Sequence, residues 1–256
     1  MKTSSAAAFS VASGSATVSG VFAVLITLQD DFQSSTIKNM KTIIMKMSDA
    51  YDYMDFYQKL SDCHILDFSQ LEGTRCYLDD AAQAHIEEAI APFNGQELHF
   101  IDSGNYHYLS LLWLKKINQD FNLVLFDHHP DNQPPSFGQI ISCGGWVLDA
   151  SDSLPHLKGV YSYGVGQEVL PQDIPKDLPV YISIDKDVLS QDFAITDWDQ
   201  GDMSLDAMLD LLKIIFDNHK ILGIDICGES SEYALDGAKV NSQTNTRLLY
   251  FLRENL

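Results

Sequence analysis

The chain has 256 residues, enough for one domain to bury a sizeable core. Its 36 acidic residues against 16 basic ones leave a formal charge of -20 at pH 7, a field that repels phosphate backbones and anionic lipid surfaces. Nucleic acid and membrane partners are thereby disfavoured. A small-molecule substrate, favoured if cationic, is the partner that such a field accommodates.

The first 39 residues are rich in Ser, Ala, Thr and Val, and Val21 to Leu28 is their one apolar stretch. It is too short to span a bilayer. The small residues precede it instead of following it as a signal-peptide cleavage site would. Residues 1–39 are therefore expected to form a disordered or poorly packed extension. Residues 40–256 are expected to form a single domain, with Met40 a plausible natural start and a first strand directly after it.

From there strands and helices alternate. Helices are predicted over Asp49 to Leu60, Asp79 to Ile90, Tyr108 to Ile117, Ser204 to Phe216 and Asn241 to Leu252. Ser204 is the N-cap of its helix, and Leu205, Met208, Leu209, Leu212 and Ile215 share one face. Strands are predicted over Leu98 to Ile101, Leu123 to Phe126, Trp146 to Leu148, Val160 to Tyr163, Val180 to Ile184 and Ile221 to Ile226. The alternation implies a three-layer αβα domain with a mainly parallel central sheet.

Chemistry concentrates at strand ends. Leu123 to Phe126 runs into Asp127-His128-His129-Pro130-Asp131, where Asp127, His129 and Asp131 share one side of an extended segment while His128 and Pro130 point away. Val180 to Ile184 runs into Asp185-Lys186-Asp187, two like charges on one face that call for a cation or solvent. His107 follows a third strand and the turn Asp102-Ser103-Gly104-Asn105. Two imidazoles and four carboxylates suit Mn²⁺ or another hard to borderline divalent ion. Six ligands exceed what one ion takes while leaving room for water, and two ions about 3.5–4 Å apart, bridged by carboxylates, would use them all.

These residues, in this order and approximate spacing, resemble the ureohydrolase family of arginases and agmatinases over residues 97 to 230. That family carries a His after a Gly-containing strand end, then Asp-x-His-x-Asp, then Asp-x-Asp. The resemblance implies an arginase-like fold and a two-Mn²⁺ centre. Asp127 and Asp185 would bridge the ions, His107 and Asp131 would complete one site, and His129 and Asp187 the other. It further implies hydrolysis of a non-peptide C–N bond in a guanidino or amidino compound by a metal-activated hydroxide, with Asp131 orienting the nucleophile and moving its proton. Glu229 would hold the cationic end of the substrate, although it comes one residue later than the family pattern expects. The chain also departs from the family at Ser190 and Gln191, where an Asp followed by Pro is usual. At Ser142-Cys143-Gly144-Gly145-Trp146 the family has a proton-transfer His.

Other readings remain open on the sequence. Asp-His-His-Pro also resembles the DHH phosphoesterases, with Asp102 as a further ligand, but that scheme leaves Asp185 and Asp187 unexplained. The missing His permits a non-catalytic metal-binding protein on the same fold. Trp198, among the acids of Thr196 to Asp202, is compatible with the rim of a substrate pocket and equally with a capped loop entering the Ser204 helix. Cys63, Cys76, Cys143 and Cys227 are scattered without a Cys-x-x-Cys pair, which fits reduced thiols in a cytoplasmic protein. Cys143 and Cys227 read as small buried hydrophobes. A homo-oligomer is compatible with all of this.

Overall fold

The computed structural model describes residues 40–255 except 136–137, 167–168 and 232–233. The expected N-terminal extension, residues 1–39, lies outside the described residues.

Seven strands form one sheet: β1 (Thr42–Lys46), β2 (Cys63–Asp67), β4 (Leu98–Phe100), β5 (Phe121–Phe126), β7 (Leu157–Tyr163), β8 (Val180–Asp185) and β9 (Ile221–Cys227). Their order is β2-β1-β4-β9-β8-β5-β7, and every pairing is parallel. Two further short strands, β3 (Tyr77–Leu78) and β6 (Ile141–Ser142), make a separate antiparallel pair. The helices are α1 (Asp80–Ile90), α2 (Leu109–Leu114), α3 (Trp146–Ser153), α4 (Leu205–Asn218) and α5 (Ala234–Asn255).

The three layers follow from period-two burial. In β5 all six residues are buried, as a central parallel strand requires; Leu123 and Leu125 point to one apolar cluster, Val124 and Phe126 to the other. The first cluster takes Ile86 of α1, Leu112 and Trp113 of α2 and Ala150 of α3. The second takes Met208 and Leu212 of α4 and Leu248 and Leu252 of α5. Helices thus cover both faces of the sheet. The Ser204 side chain accepts from the Ala207 amide, as an N-cap should. Among the described residues no helix is long and apolar enough to cross a membrane.

Three local expectations are corrected. Trp146 to Leu148, expected as strand, is the start of α3: Trp146, Val147 and Ala150 are buried at helical spacing, which three apolar residues alone cannot distinguish from a strand. Asp49 to Leu60, expected as helix, holds only the 3₁₀ turn Ala50–Tyr53. The chain before it is pinned by Asp102, whose carboxylate accepts from the Met47 and Ser48 amides, both at 2.9 Å. β2 was not expected; it is an edge strand whose Cys-His-Ile-Leu-Asp sequence lacks an apolar run, and Ile65 is 56% exposed.

Candidate metal centre

β4, β9, β8 and β5 occupy the middle of the sheet, and the connection from β4 to β5 passes over two strands. In an open parallel sheet such a switch leaves a crevice at the carboxyl ends of the strands, where ligands bind. The chemistry-bearing residues sit there. Ser103 caps the turn after β4 by accepting from the Asn105 amide, and His107 ends that turn. Asp127 follows β5. Asp185 closes β8, and its carboxylate accepts from the Asp187 amide at 2.9 Å, folding the Asp-x-Asp segment back on itself.

The six expected ligands converge. His107 Nδ1 lies 3.2 Å from Asp127 Oδ2, 3.1 Å from Asp131 Oδ2 and 3.6 Å from Asp185 Oδ2. His129 Nδ1 lies 2.8 Å from Asp187 Oδ2 and 3.7 Å from Asp127 Oδ1. Asp127 therefore turns one oxygen to each imidazole and joins two groups, His107–Asp127–Asp131 and Asp127–His129–Asp187, each with spacing that could hold an ion. His107 Nδ1 and Asp127 Oδ2 are buried and make no hydrogen bond. Two polar atoms left facing one another in this way are what a shared cation would satisfy, so the residues fit a divalent ion.

Neighbouring side chains set the orientation. Ser183 Oγ lies 2.9 Å from His107 Nε2, which leaves Nδ1 to the acids. The Trp146 indole donates to Asp131 Oδ2 at 2.8 Å. Asp199 Oδ1 lies 3.2 Å from His129 Nε2, the carboxylate–imidazole arrangement that orients metal-binding histidines. The His128 side chain lies outside these groups, 3.9 Å from Asp199, while its amide donates to Asp187.

Trp146→Phe keeps the ring beside His107 and removes the indole donor. Mn²⁺ affinity at the His107–Asp131 half should fall about 10–100-fold in a titration, and unchanged binding would show that the indole contributes nothing to that site.

Burial, and then repulsion from neighbouring acids, pushes Asp127 and Asp185 above the ordinary carboxylate range. His129 is raised to about 10, first by its hydrogen bond to Asp187. Raised carboxylates and a raised imidazole both make the folded chain bind more protons than the unfolded one, from the ordinary carboxylate range up to about pH 10. Stability of the metal-free protein should therefore decline across that window. Its melting temperature should drop between about pH 5.5 and about pH 8.5, with Mn²⁺ restoring it at the upper pH; a rise without metal over that interval would contradict the electrostatic picture.

A cavity of about 290 Å³ opens onto the cluster. Asp127, His129, Asp131, Asp185 and Asp187 form its floor, and Cys76, Tyr77, Gln133, Ser142, Cys143 and Trp198 its walls. Trp198 is 41% exposed and lines this opening.

Glu229 is elsewhere. It is fully buried, paired with Lys186 and accepting from Asn245 Nδ2 at 2.7 Å, and it does not line the cavity. The position one residue earlier, where the resemblance would put the substrate-reading Glu, is Gly228. Its φ is +85°, and an added Cβ would come within 2.5 Å of Asp185 Oδ1. The expected role of Glu229 in catalysis and substrate binding is therefore corrected: its carboxylate is held away from the cleft by Lys186 and Asn245.

Asp102, the extra ligand of the phosphoesterase scheme, has its carboxylate taken up by the Met47, Ser48 and Ser103 amides and the Ser48 hydroxyl, outside the candidate ion-holding groups. Two residues were missed on the sequence. Cys227, read as a small hydrophobe, places its thiol 3.1 Å from Asp185 Oδ2 and groups with His107 and Asp185. Asp199 was not singled out because it is one of three acids from Thr196 to Asp202, and nothing in their spacing marks it.

No family model matches the chain. A Thermotoga maritima protein described only as uncharacterized is 37% identical over 173 residues, covering 62% of this chain and 68% of that one. Among solved structures, the chain is similar to arginase from Bacillus subtilis, with a TM-score of 0.60 at 14% identity over 84% of this chain and 98% of the other. Formimidoylglutamase from the same organism gives 0.59 at 15% identity over 85% and 88%. A Mn²⁺-bound variant of a T. brucei arginase-like protein gives 0.52 at 18% identity over 84% and 89%.

Proposed function

This chain is an arginase/ureohydrolase-fold protein that belongs to one family with the Thermotoga maritima protein, and from that premise we propose that it is a binuclear metal-dependent hydrolase of a non-peptide C–N bond. The observation that carries the reading is Asp127, whose two oxygens join two ligand groups at the floor of a cavity sized for a small molecule. The residues that would hold the ions are His107, Asp127, His129, Asp131, Asp185 and Asp187, with Mn²⁺ the ion of choice for so oxygen-rich a set. Bound divalent ions supply Lewis acidity and make water a usable nucleophile near neutral pH.

The chain's own residues do the remaining work. Asp131, anchored by Trp146, orients the attacking water and takes its proton. The walls carrying Tyr77, Gln133, Ser142 and Trp198 hold the substrate. The excess of acids at the floor favours a cationic, amidino-type small molecule. A cytoplasmic location and a homo-oligomer complete the proposal.

A second reading, a non-catalytic metal-binding protein, is favoured by Cys143 and Gly144 standing in the cavity wall where the resemblance expects a His. The two separate in one experiment: Mn²⁺-loaded protein assayed on arginine, agmatine, guanidinobutyrate and formiminoglutamate for release of urea or formamide. Turnover of any of these supports the hydrolase. Bound metal with no turnover supports the second reading.

A further inference from the structure

Cys76 and Cys143, far apart in sequence, meet in the wall of the cleft. β3 and β6 pair antiparallel with Tyr77 opposite Ser142 and Leu78 opposite Ile141, so one further step of the same register sets Cys76 opposite Cys143. The Cys143 amide donates to the Cys76 carbonyl at 3.0 Å, which holds that step in place. Residues opposed in this way have Cα atoms about 4.5–5.5 Å apart, inside the range of about 4.4–6.8 Å that a disulfide spans. Both residues are free thiols, and both line the cavity above the acid cluster.

Two more features mark the pair. Cys76 has φ +60°, a left-handed conformation that a non-glycine residue keeps only when its surroundings enforce it. Its amide is tied to the Asn105 carbonyl at 3.1 Å, and its thiol donates to Asn105 Oδ1 at 3.2 Å. The neighbouring Cys143 thiol is the largest influence that brings the Cys76 thiol down to about 7, while Cys143 is held up by Cys76 and by burial. One partner is thus the ready thiolate and the other the resolving thiol.

We propose that Cys76 and Cys143 form a thiol–disulfide modification site in the cleft wall, whose co-reactant is a low-molecular-weight disulfide. The Cys76 thiolate attacks one sulfur of the disulfide RSSR and expels RS⁻, giving a mixed disulfide. The Cys143 thiol then releases its proton and attacks the Cys76 sulfur, expelling the second RS⁻. Two protein thiols are oxidised to one disulfide, RSSR is reduced to two RSH, and the two protons given up by the protein are carried by the departing thiols. The modification would reach the candidate centre through the backbone: Gly144 accepts from the Gln133 amide at 2.9 Å and the Asp131 carbonyl from the Val147 amide at 2.9 Å, so the Cys143 segment is bonded to the segment carrying Asp131. The site stands whether or not the chain hydrolyses a C–N bond.

The test uses the full chain and oxidised glutathione. Peptide mapping after treatment should find Cys76 linked to Cys143, with Cys63 and Cys227 still free. Under Cys143→Ser the same treatment should stop at a glutathione adduct on Cys76, and under Cys63→Ser the link should form as in the wild type. Alkylation of the untreated chain near pH 7 should reach Cys76 about 10–100-fold faster than Cys63, whose half-burial raises it to about 11. Glutathione carried separately on Cys76 and Cys143, modification of Cys63 in preference, or four unreacted thiols would each overturn the proposal, and the wild-type map alone suffices to show them.

Discussion

Asp127→Asn should abolish loading of both ions and reduce any turnover by at least about a thousandfold, while leaving the fold intact. Asp127 is the residue common to the two ligand groups, with Oδ2 toward His107 and Oδ1 toward His129. An amide in its place offers one weak neutral ligand atom where two charged ones stood. The same change relieves strain in the metal-free protein, because burial holds the Asp127 carboxyl well above its ordinary range. The metal-free melting temperature should therefore hold or rise even as binding disappears. That opposition separates a lost ligand from a lost fold. Full Mn²⁺ stoichiometry in the variant would remove Asp127 from the centre.

Lys186→Met is expected to produce the largest loss of stability. Lys186 lies between the two acids of Asp185-Lys186-Asp187, yet its ammonium is fully buried against Glu229 and Asn245 Oδ1, the latter at 2.9 Å. Removing one partner of a buried pair leaves an uncompensated charge and costs roughly 3–5 kcal/mol. In a domain of this size that lowers the melting temperature by roughly 10 °C. A second change, Glu229→Leu, should recover much of the loss, since replacing a whole buried pair by apolar groups is often neutral. Denaturant unfolding of the single and double variants reads both effects. A single-variant loss below about 1 kcal/mol would mean that the pair is solvated in solution.

The parallel sheet and the convergence of acids and imidazoles were legible because they share one signal: a short apolar run buried on both faces, followed at once by acids and imidazoles. β5 into Asp127 and β8 into Asp185 are cases where strand period and site chemistry agree, and both converge as expected. Glu229 was misread by a single residue. At the end of β9 a step of one reverses the direction of the side chain, so Gly228 meets Asp185 and Glu229 turns inward to Lys186. The Cys76–Cys143 pair could not be read, since two-residue strands carry no period and only the folded β3–β6 register brings the thiols together. Trp146 to Leu148 was misassigned because three apolar residues fit a strand and a helix alike.

Metal content measured on the full chain after Mn²⁺ loading and removal of free ion tests the central claim most directly. The wild type should retain two ions per chain, and Asp127→Asn should lose both. Retention of no ion by the wild type, or of one that survives Asp127→Asn, would contradict a shared two-metal centre.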